Sequence, residues 1–281
     1  MLNTESLAVA FGLGSAVSWG AGDFSGGFVT RRGNVFSVIF VSQLISGSLL
    51  AGIALVLVQD APLFGDMVLG SLAGICGCTG LVALYIGLAR GRMGIVAPLS
   101  AVVTAGLPVI FGICREGFPS PLQMFGFAVA IVSVWLLAYS KSGERVKPLE
   151  LILPVIAGLG FGLFFILIDS FSSRGFLWPL VAARVTTVSL IAVLMLIRGK
   201  SIGPAITHFP MVMLAGILDT SGNIFYALAT QVGRLDISAV VASLYPAATV
   251  ILAWLVLKER LKRNQWLGVA GSMGALVLIA C

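Results

Sequence analysis

Four ionisable side chains lie inside runs of apolar residues long enough to cross a lipid bilayer: Asp23, Asp169, Arg184 and Asp219. A charge held at the depth of Arg184 or Asp219 costs roughly 2.5 to 3.5 kcal/mol even on the lenient insertion scale, so these two must face the interior of a helical bundle. Asp219 heads a polar stripe continued by Asn223, Tyr226 and Thr230 at i+4, i+7 and i+11. Ser15, Trp19, Asp23 and Gly26 form a second stripe, and Gly22 with Gly26 is a small-xxx-small pair that lets another backbone come close. Arg184 falls about 5 Å from the centre of its run at 1.5 Å per residue. It is a counter-charge for Asp219, with Asp169 as the alternative partner. Two readings of Arg184 and Asp219 stand side by side: a salt bridge that fixes two helices, or the charged wall of a solute path. Asp23 has its own plain reading, a helix-end carboxylate near Arg31 and Arg32.

Other chemistries meet obstacles. Gly20-Ala21-Gly22-Asp23 spells the G-x-G-D of intramembrane aspartyl proteases, in which two carboxylates share a proton. The partner Asp after a Tyr and the Pro-Ala-Leu segment of those enzymes have no counterpart in this sequence. His208 is the single histidine, which leaves a histidine metal cluster or a Ser-His-Asp nucleophile without its parts. Cys76, Cys78, Cys114 and Cys281 lie within apolar runs, and an i, i+2 pair points to different faces, so neither a disulfide nor a metal site is expected. The sequence contains no Walker loop, which argues against ATP-driven pumping. No cofactor is expected.

The elements that must position these residues follow from composition. With 59% hydrophobic and 10% charged residues, the 281-residue chain has lipid as its main solvent. At about 20 apolar residues per crossing, the sequence divides into ten spans: 6 to 29, 35 to 58, 67 to 89, 94 to 114, 120 to 140, 150 to 172, 176 to 197, 209 to 231, 236 to 257 and 263 to 281. In the third span Cys78 and Tyr85 share a face, and the fourth places Ser100, Thr104 and Pro108 at i, i+4, i+8 with Pro98 in its first turns. The ninth repeats that pattern with Ser238, Ala242, Tyr245 and Thr249, beside Pro246. The second and fifth spans are largely featureless apart from Gln43, Ser46 and Trp135 and read as outer scaffold.

Basic residues crowd the connections after odd-numbered spans, from Arg31 and Arg32 through Lys141, Arg145 and Lys147 to Lys258 and Arg260, while the other side has Arg115, Arg174 and Arg234. The positive-inside rule then puts the odd-numbered loops in the cytoplasm and both termini outside. This placement accounts for the net charge of +6 without nucleic acid as a partner. The first segment has no basic residue before it and a basic pair after it, the reverse of a cleavable signal peptide, so it is expected to stay.

The polar stretch Lys141 to Leu149 divides the chain into two similar units, residues 1–140 and 149–281. Gly12-Leu13-Gly14 matches Gly158-Leu159-Gly160 at an offset of 146, which lays Trp19 on Phe165 and Asp23 on Asp169. At an offset of 142, Ala73-Gly74-Ile75 falls on Ala215-Gly216-Ile217, Gly80 on Gly222 and Gly91-Arg92 on Gly233-Arg234. In that register Gly77 stands opposite Asp219 and Ser42 opposite Arg184, a divergence that an asymmetric substrate would require. Five spans per unit is odd, so the second unit enters from the opposite side. The expected fold is an all-α integral membrane protein, ten transmembrane helices as two inverted five-helix repeats, which is an architecture of secondary transporters.

The segment Gly233 to Cys281 carries a small-rich helix with internal Pro246, then Lys258-Glu259-Arg260, Gln265, Gly268 and a Gly-rich final helix. It resembles the C-terminal repeat of the EamA family of the drug/metabolite transporter superfamily. Ala97-Pro98, Pro108, Arg115-Glu116, Gln123 and Gly126 give a weaker copy in the first half, where Gly117-Phe118-Pro119 departs from the pattern. The resemblance implies a ten-helix permease with a central cavity lined by the first, third and fourth helices of each repeat, and a structural role for Lys258-Glu259-Arg260. It implies small-molecule substrates such as amino acids, metabolites or drugs, often moved outward.

The resulting expectation is a carrier, not an enzyme, in a bacterial-type inner membrane, working by alternating access. Its substrate-binding candidates are Trp19, Asp23, Tyr85, Arg184, Asp219, Asn223, Tyr226 and Tyr245. Its partners are the solute and membrane lipid, with protons a candidate coupling ion and a monomer or a homodimer equally compatible. The alternatives are a protease-like enzyme using Asp23 and a non-transporting scaffold or receptor.

Overall fold

In a computed structural model, residues 4–30, 33–57, 62–90, 93–138, 148–173, 175–257 and 263–280 are described. Residues 141–147, Arg31, Arg32, Gly91, Arg92, Arg174, Lys258-Glu259-Arg260, Lys262 and Cys281 lie outside them. The described residues form helices and connecting turns with no strand. In chain order the helices are α1 (Thr4–Thr30), α2 (Val35–Leu57), α3 (Phe64–Arg90), α4 (Met93–Glu116), α5 (Pro121–Ala138), α6 (Leu149–Ser172), α7 (Leu177–Ile197), α8 (Gly203–Thr207), α9 (Phe209–Val232), α10 (Leu235–Ala242), α11 (Tyr245–Leu257) and α12 (Arg263–Ala280).

Among the described residues, five segments are long and apolar enough to cross a membrane: Val35–Leu57, Phe64–Gly87, Leu151–Ser172, Leu177–Ile197 and Phe209–Val232. Shorter apolar stretches occupy Leu99–Arg115, Pro121–Ser133 and Leu235–Thr249. Large apolar side chains such as Leu55, Phe125, Trp135, Val185 and Leu196 remain exposed on the outside of the bundle. Lipid accepts them, because hydrocarbon is as apolar as the side chains themselves.

The ninth span differs from expectation. It is two helices, α10 and α11, separated by Ser243 and Leu244. Pro246 has no N–H to offer the turn before it, so the ladder shifts: the amide of Ala247 reaches back only to the carbonyl of Leu244, at 2.9 Å. The corresponding α4 runs unbroken through Pro108. Gly203–Thr207, expected as loop, makes a single turn of helix. After α4 the chain leaves through Gly117, whose φ of 82° favours a residue without Cβ. Thus Gly117-Phe118-Pro119 carries a helix stop where the second half carries basic residues.

The helices pack in corresponding pairs. α1 lies against α9, and α3 against α6; α4 lies against α6, and α10 and α11 against α1; α3 meets α7, and α2 meets α9. α2 with α7, α4 with α10, and α5 with α12 complete the set. Small residues permit the closest approaches. The α1 face toward its neighbours includes Ala8, Gly12, Ser15, Ala16, Gly20 and Gly22. Ser15 Oγ donates to the carbonyl of Gly222 at 2.9 Å, and Thr249 Oγ1 to that of Gly20 at 2.9 Å. Such bonds fasten helices across a contact that lacks a hydrophobic driving force in lipid.

Candidate functional site

Near the middle of several helices the bundle encloses a partly open cavity of about 520 Å³. Its walls are Trp19 and Asp23 from α1, Gly77 and Leu81 from α3, Thr104 from α4, Phe161, Phe164 and Phe165 from α6, Arg184 from α7, Asp219 from α9 and Tyr245 from α11. These are the six helices that the resemblance implies, with α7 in addition.

Arg184 is the most constrained charge. It is 3% exposed and its Nη2 lies 3.1 Å from Asp219 Oδ2, while Nη1 donates to Gln43 Oε1 at 2.7 Å. Its guanidinium carbon sits 5.9 Å from the centre of the Phe164 ring, a cation–π distance. Asp219 Oδ2 also accepts the Ser46 hydroxyl at 2.9 Å, and Thr220 Oγ1 in turn lies 2.9 Å from Ser46 Oγ. The salt bridge expected between the seventh and eighth spans is therefore present, and it is bonded into a network rather than isolated. Asp169, the alternative partner for Arg184, pairs instead with Arg115 at 2.9 Å.

α2 differs from the outer scaffold expected of it. Gln43 and Ser46 are 3% and 0% exposed, and both are spent on the ion pair. Ser42, Gln43 and Ser46 stand at i, i+1 and i+4, a short polar patch on one helix face that the scaffold reading passes over. Gly47 leaves room for the arrangement: a Cβ there would lie 3.0 Å from Arg184 Cβ.

Asp23 stands apart. It lines the cavity and makes no hydrogen bond or ion pair with any described residue. Beside it, Trp19 stacks on Phe165 with ring centres 5.2 Å apart and planes at 11°. Phe165 stacks on Tyr226 at 4.3 Å. Tyr245 is 6% exposed, and its hydroxyl lies beside Ser100.

Of the eight residues picked out in the sequence, the structure brings Trp19, Asp23, Arg184, Asp219 and Tyr245 to this one cavity. Tyr85, Asn223 and Tyr226 are not in its walls. Tyr226 is 0% exposed and backs the Trp19–Phe165 stack. Asn223 Nδ2 donates to the Asp219 carbonyl at 2.6 Å, bracing that turn of α9. Tyr85 is buried with its hydroxyl close to Gly26, where a Cβ would meet Tyr85 Oη at 2.7 Å. Phe161 and Phe164 were missed, since aromatic residues on an apolar helix give no signal that separates cavity wall from lipid face. Cys76, Cys78 and Cys114 are free thiols. No group of three or more metal-ligating side chains occurs among the described residues.

Comparison with known proteins adds to this geometry. The sequence model of the EamA-like transporter family matches residues 148–281. An uncharacterized protein of Methanocaldococcus jannaschii is 29% identical over 139 residues, a match covering 48% of this chain and 98% of that protein. A solved crystal structure superposes with a TM-score of 0.79 at 15% identity, covering 97% of this chain and 96% of the other, which establishes a shared fold.

Proposed function

Residues 148–281 form an EamA-like transporter family domain, and from that premise we propose that the protein is a secondary carrier of the drug/metabolite type. It moves a small solute, such as an amino acid or metabolite, across a cell inner membrane by alternating access. The reading takes ten membrane crossings as two inverted five-helix units, residues 1–140 and 149–281, with net movement outward.

The observation that carries it is the cavity, walled by one buried ion pair, a second carboxylate and aromatic rings. Buried charge of this kind marks substrate and ion pathways in membrane proteins. The helix contacts support the inverted arrangement: exchanging α1 with α6, α2 with α7, α3 with α9, α4 with α10 and α11, and α5 with α12 turns each main contact into another that is present. The archaeal relative supports the unit itself, because almost all of that protein matches less than half of this chain. The break between α10 and α11 beside Tyr245 suits a carrier as well, since interrupted helices near the midplane form many transporter sites.

The binding groups in this reading are Trp19, Asp23, Thr104, Arg184, Asp219 and Tyr245, with Tyr85, Asn223 and Tyr226 supporting them from behind. Asp23 is the group placed to carry a proton if transport is proton-coupled. The test is solute exchange in vesicles reconstituted with purified protein, using a panel of labelled amino acids, nucleosides, sugars and amines. Protein-dependent exchange of a panel member is the expected result. Vesicles no more permeable than protein-free controls to every solute would remove the carrier reading.

A further inference from the structure

Three ionic groups line the cavity, and they do not balance. Arg184 is matched by Asp219 at 3.1 Å, so the carboxylate of Asp23 is left over among the described residues. Around it the walls are largely aromatic: Trp19, Phe161, Phe165 and Tyr245, while Phe164 already faces the Arg184 guanidinium. Tyr245 adds a buried hydroxyl oxygen beside Ser100, a second acceptor in the same wall. Aromatic faces are negative and attract cations, most strongly where water is excluded.

From this imbalance we infer that the cavity selects an organic monocation, an amine carrying an apolar or aromatic body. The ammonium group pairs with Asp23 and the Tyr245 oxygen, and the body lies against Trp19 and Phe165. A free carboxylate on the ligand is disfavoured, because Nη1 and Nη2 of Arg184 are already committed to Gln43 and Asp219, which leaves only Nε without a partner among the described residues. An anionic ligand would have to break that network and sit beside two carboxylates.

This inference narrows the solute from amino acids and metabolites in general to amines without a carboxylate. It rests on the transporter reading only in taking the cavity as the substrate site, and is tested by binding rather than flux, so the two can fail separately. Four probes share one phenyl body: 2-phenylethylamine (cation), L-phenylalanine (zwitterion), 3-phenylpropionate (anion) and 2-phenylethanol (neutral). Each is titrated into purified full-length protein, with calorimetry as the readout. The amine binds at least tenfold more tightly than the other three. Asp23→Asn, with its melting temperature checked, weakens the amine at least tenfold, about 1.4 kcal/mol, and Trp19→Leu weakens it roughly threefold. An amine no tighter than the alcohol on wild-type protein overturns the inference, and that comparison needs no variant to fold. So does a zwitterion or anion that binds as well as the amine, or an Asp23→Asn protein that binds the amine unchanged.

Discussion

Trp19 and Phe165 stack nearly parallel, ring centres 5.2 Å apart, and they are the two residues that the proposed internal repeat lays upon one another. Equivalent residues of two related units can touch only where the axis relating the units passes between them. On the proposed two-unit reading that place is the aromatic wall of the cavity. Tyr226 closes the stack from behind at 4.3 Å from Phe165, and Gly222 lets the indole in: a Cβ on Gly222 would lie 2.6 Å from Trp19 Cδ1.

That contact predicts the effect of one methyl group. Gly222→Ala pushes the indole off Phe165 and lowers stability by about 1 to 3 kcal/mol, the usual cost of overpacking. Thermal unfolding of the variant in detergent measures the loss, and tryptophan emission reports the displacement. Unchanged values for both would mean that the indole has room the geometry denies it.

The Arg184–Asp219 pair makes a second prediction. Removing one partner of a buried ion pair leaves a charge without compensation and costs about 3 to 5 kcal/mol, whereas removing both costs far less. Asp219 is a fifth exposed to the cavity, so the lower end of that range applies to Asp219→Asn. Arg184→Gln, which leaves Asp219 to Ser46 alone, behaves similarly, and the double variant recovers at least half of the loss. A double-mutant cycle on unfolding in detergent reads these values; strictly additive losses would mean the two charges are not coupled.

How far these charges were legible before any coordinates existed differs from residue to residue. Arg184 and Asp219 announced themselves, because a charge deep in an apolar run must find a partner, and few were on offer. Gln43 and Ser46 give a weaker signal, since a patch of two or three uncharged polar residues has no charge that compels a partner. Tyr226 and Asn223 lay on the Asp219 stripe and were read as wall, yet α9 turns them toward α6 and toward its own backbone. Helical spacing gives a face, and only packing tells what that face meets. The break at Ser243-Leu244 was half legible: Pro246 marked the weak point, but α4 carries Pro108 through without interruption. The difference lies in what surrounds each proline, which no local pattern records.

Arg115 and Asp169 join α4 to α6, helices from opposite halves of the chain, at 2.9 Å with the arginine side chain 56% exposed. An exposed pair contributes only about 0 to 1 kcal/mol to stability, so Arg115→Ala should leave the melting temperature nearly unchanged. If the halves rock against each other, the same contact must open and close during transport. A cysteine pair at 115 and 169, in a background lacking the native cysteines, should therefore stop exchange when cross-linked and release it on reduction. Full exchange in the cross-linked state would show that this contact does not move.

Alternating access makes its plainest demand on Thr104, midway along α4 and in the cavity wall. With the native cysteines replaced and cysteine placed at 104, a membrane-impermeant thiol reagent is applied to sealed vesicles of each orientation. The account predicts labelling from both faces, slowed by a saturating transported solute. Labelling from one face only, whatever solute is present, would contradict it.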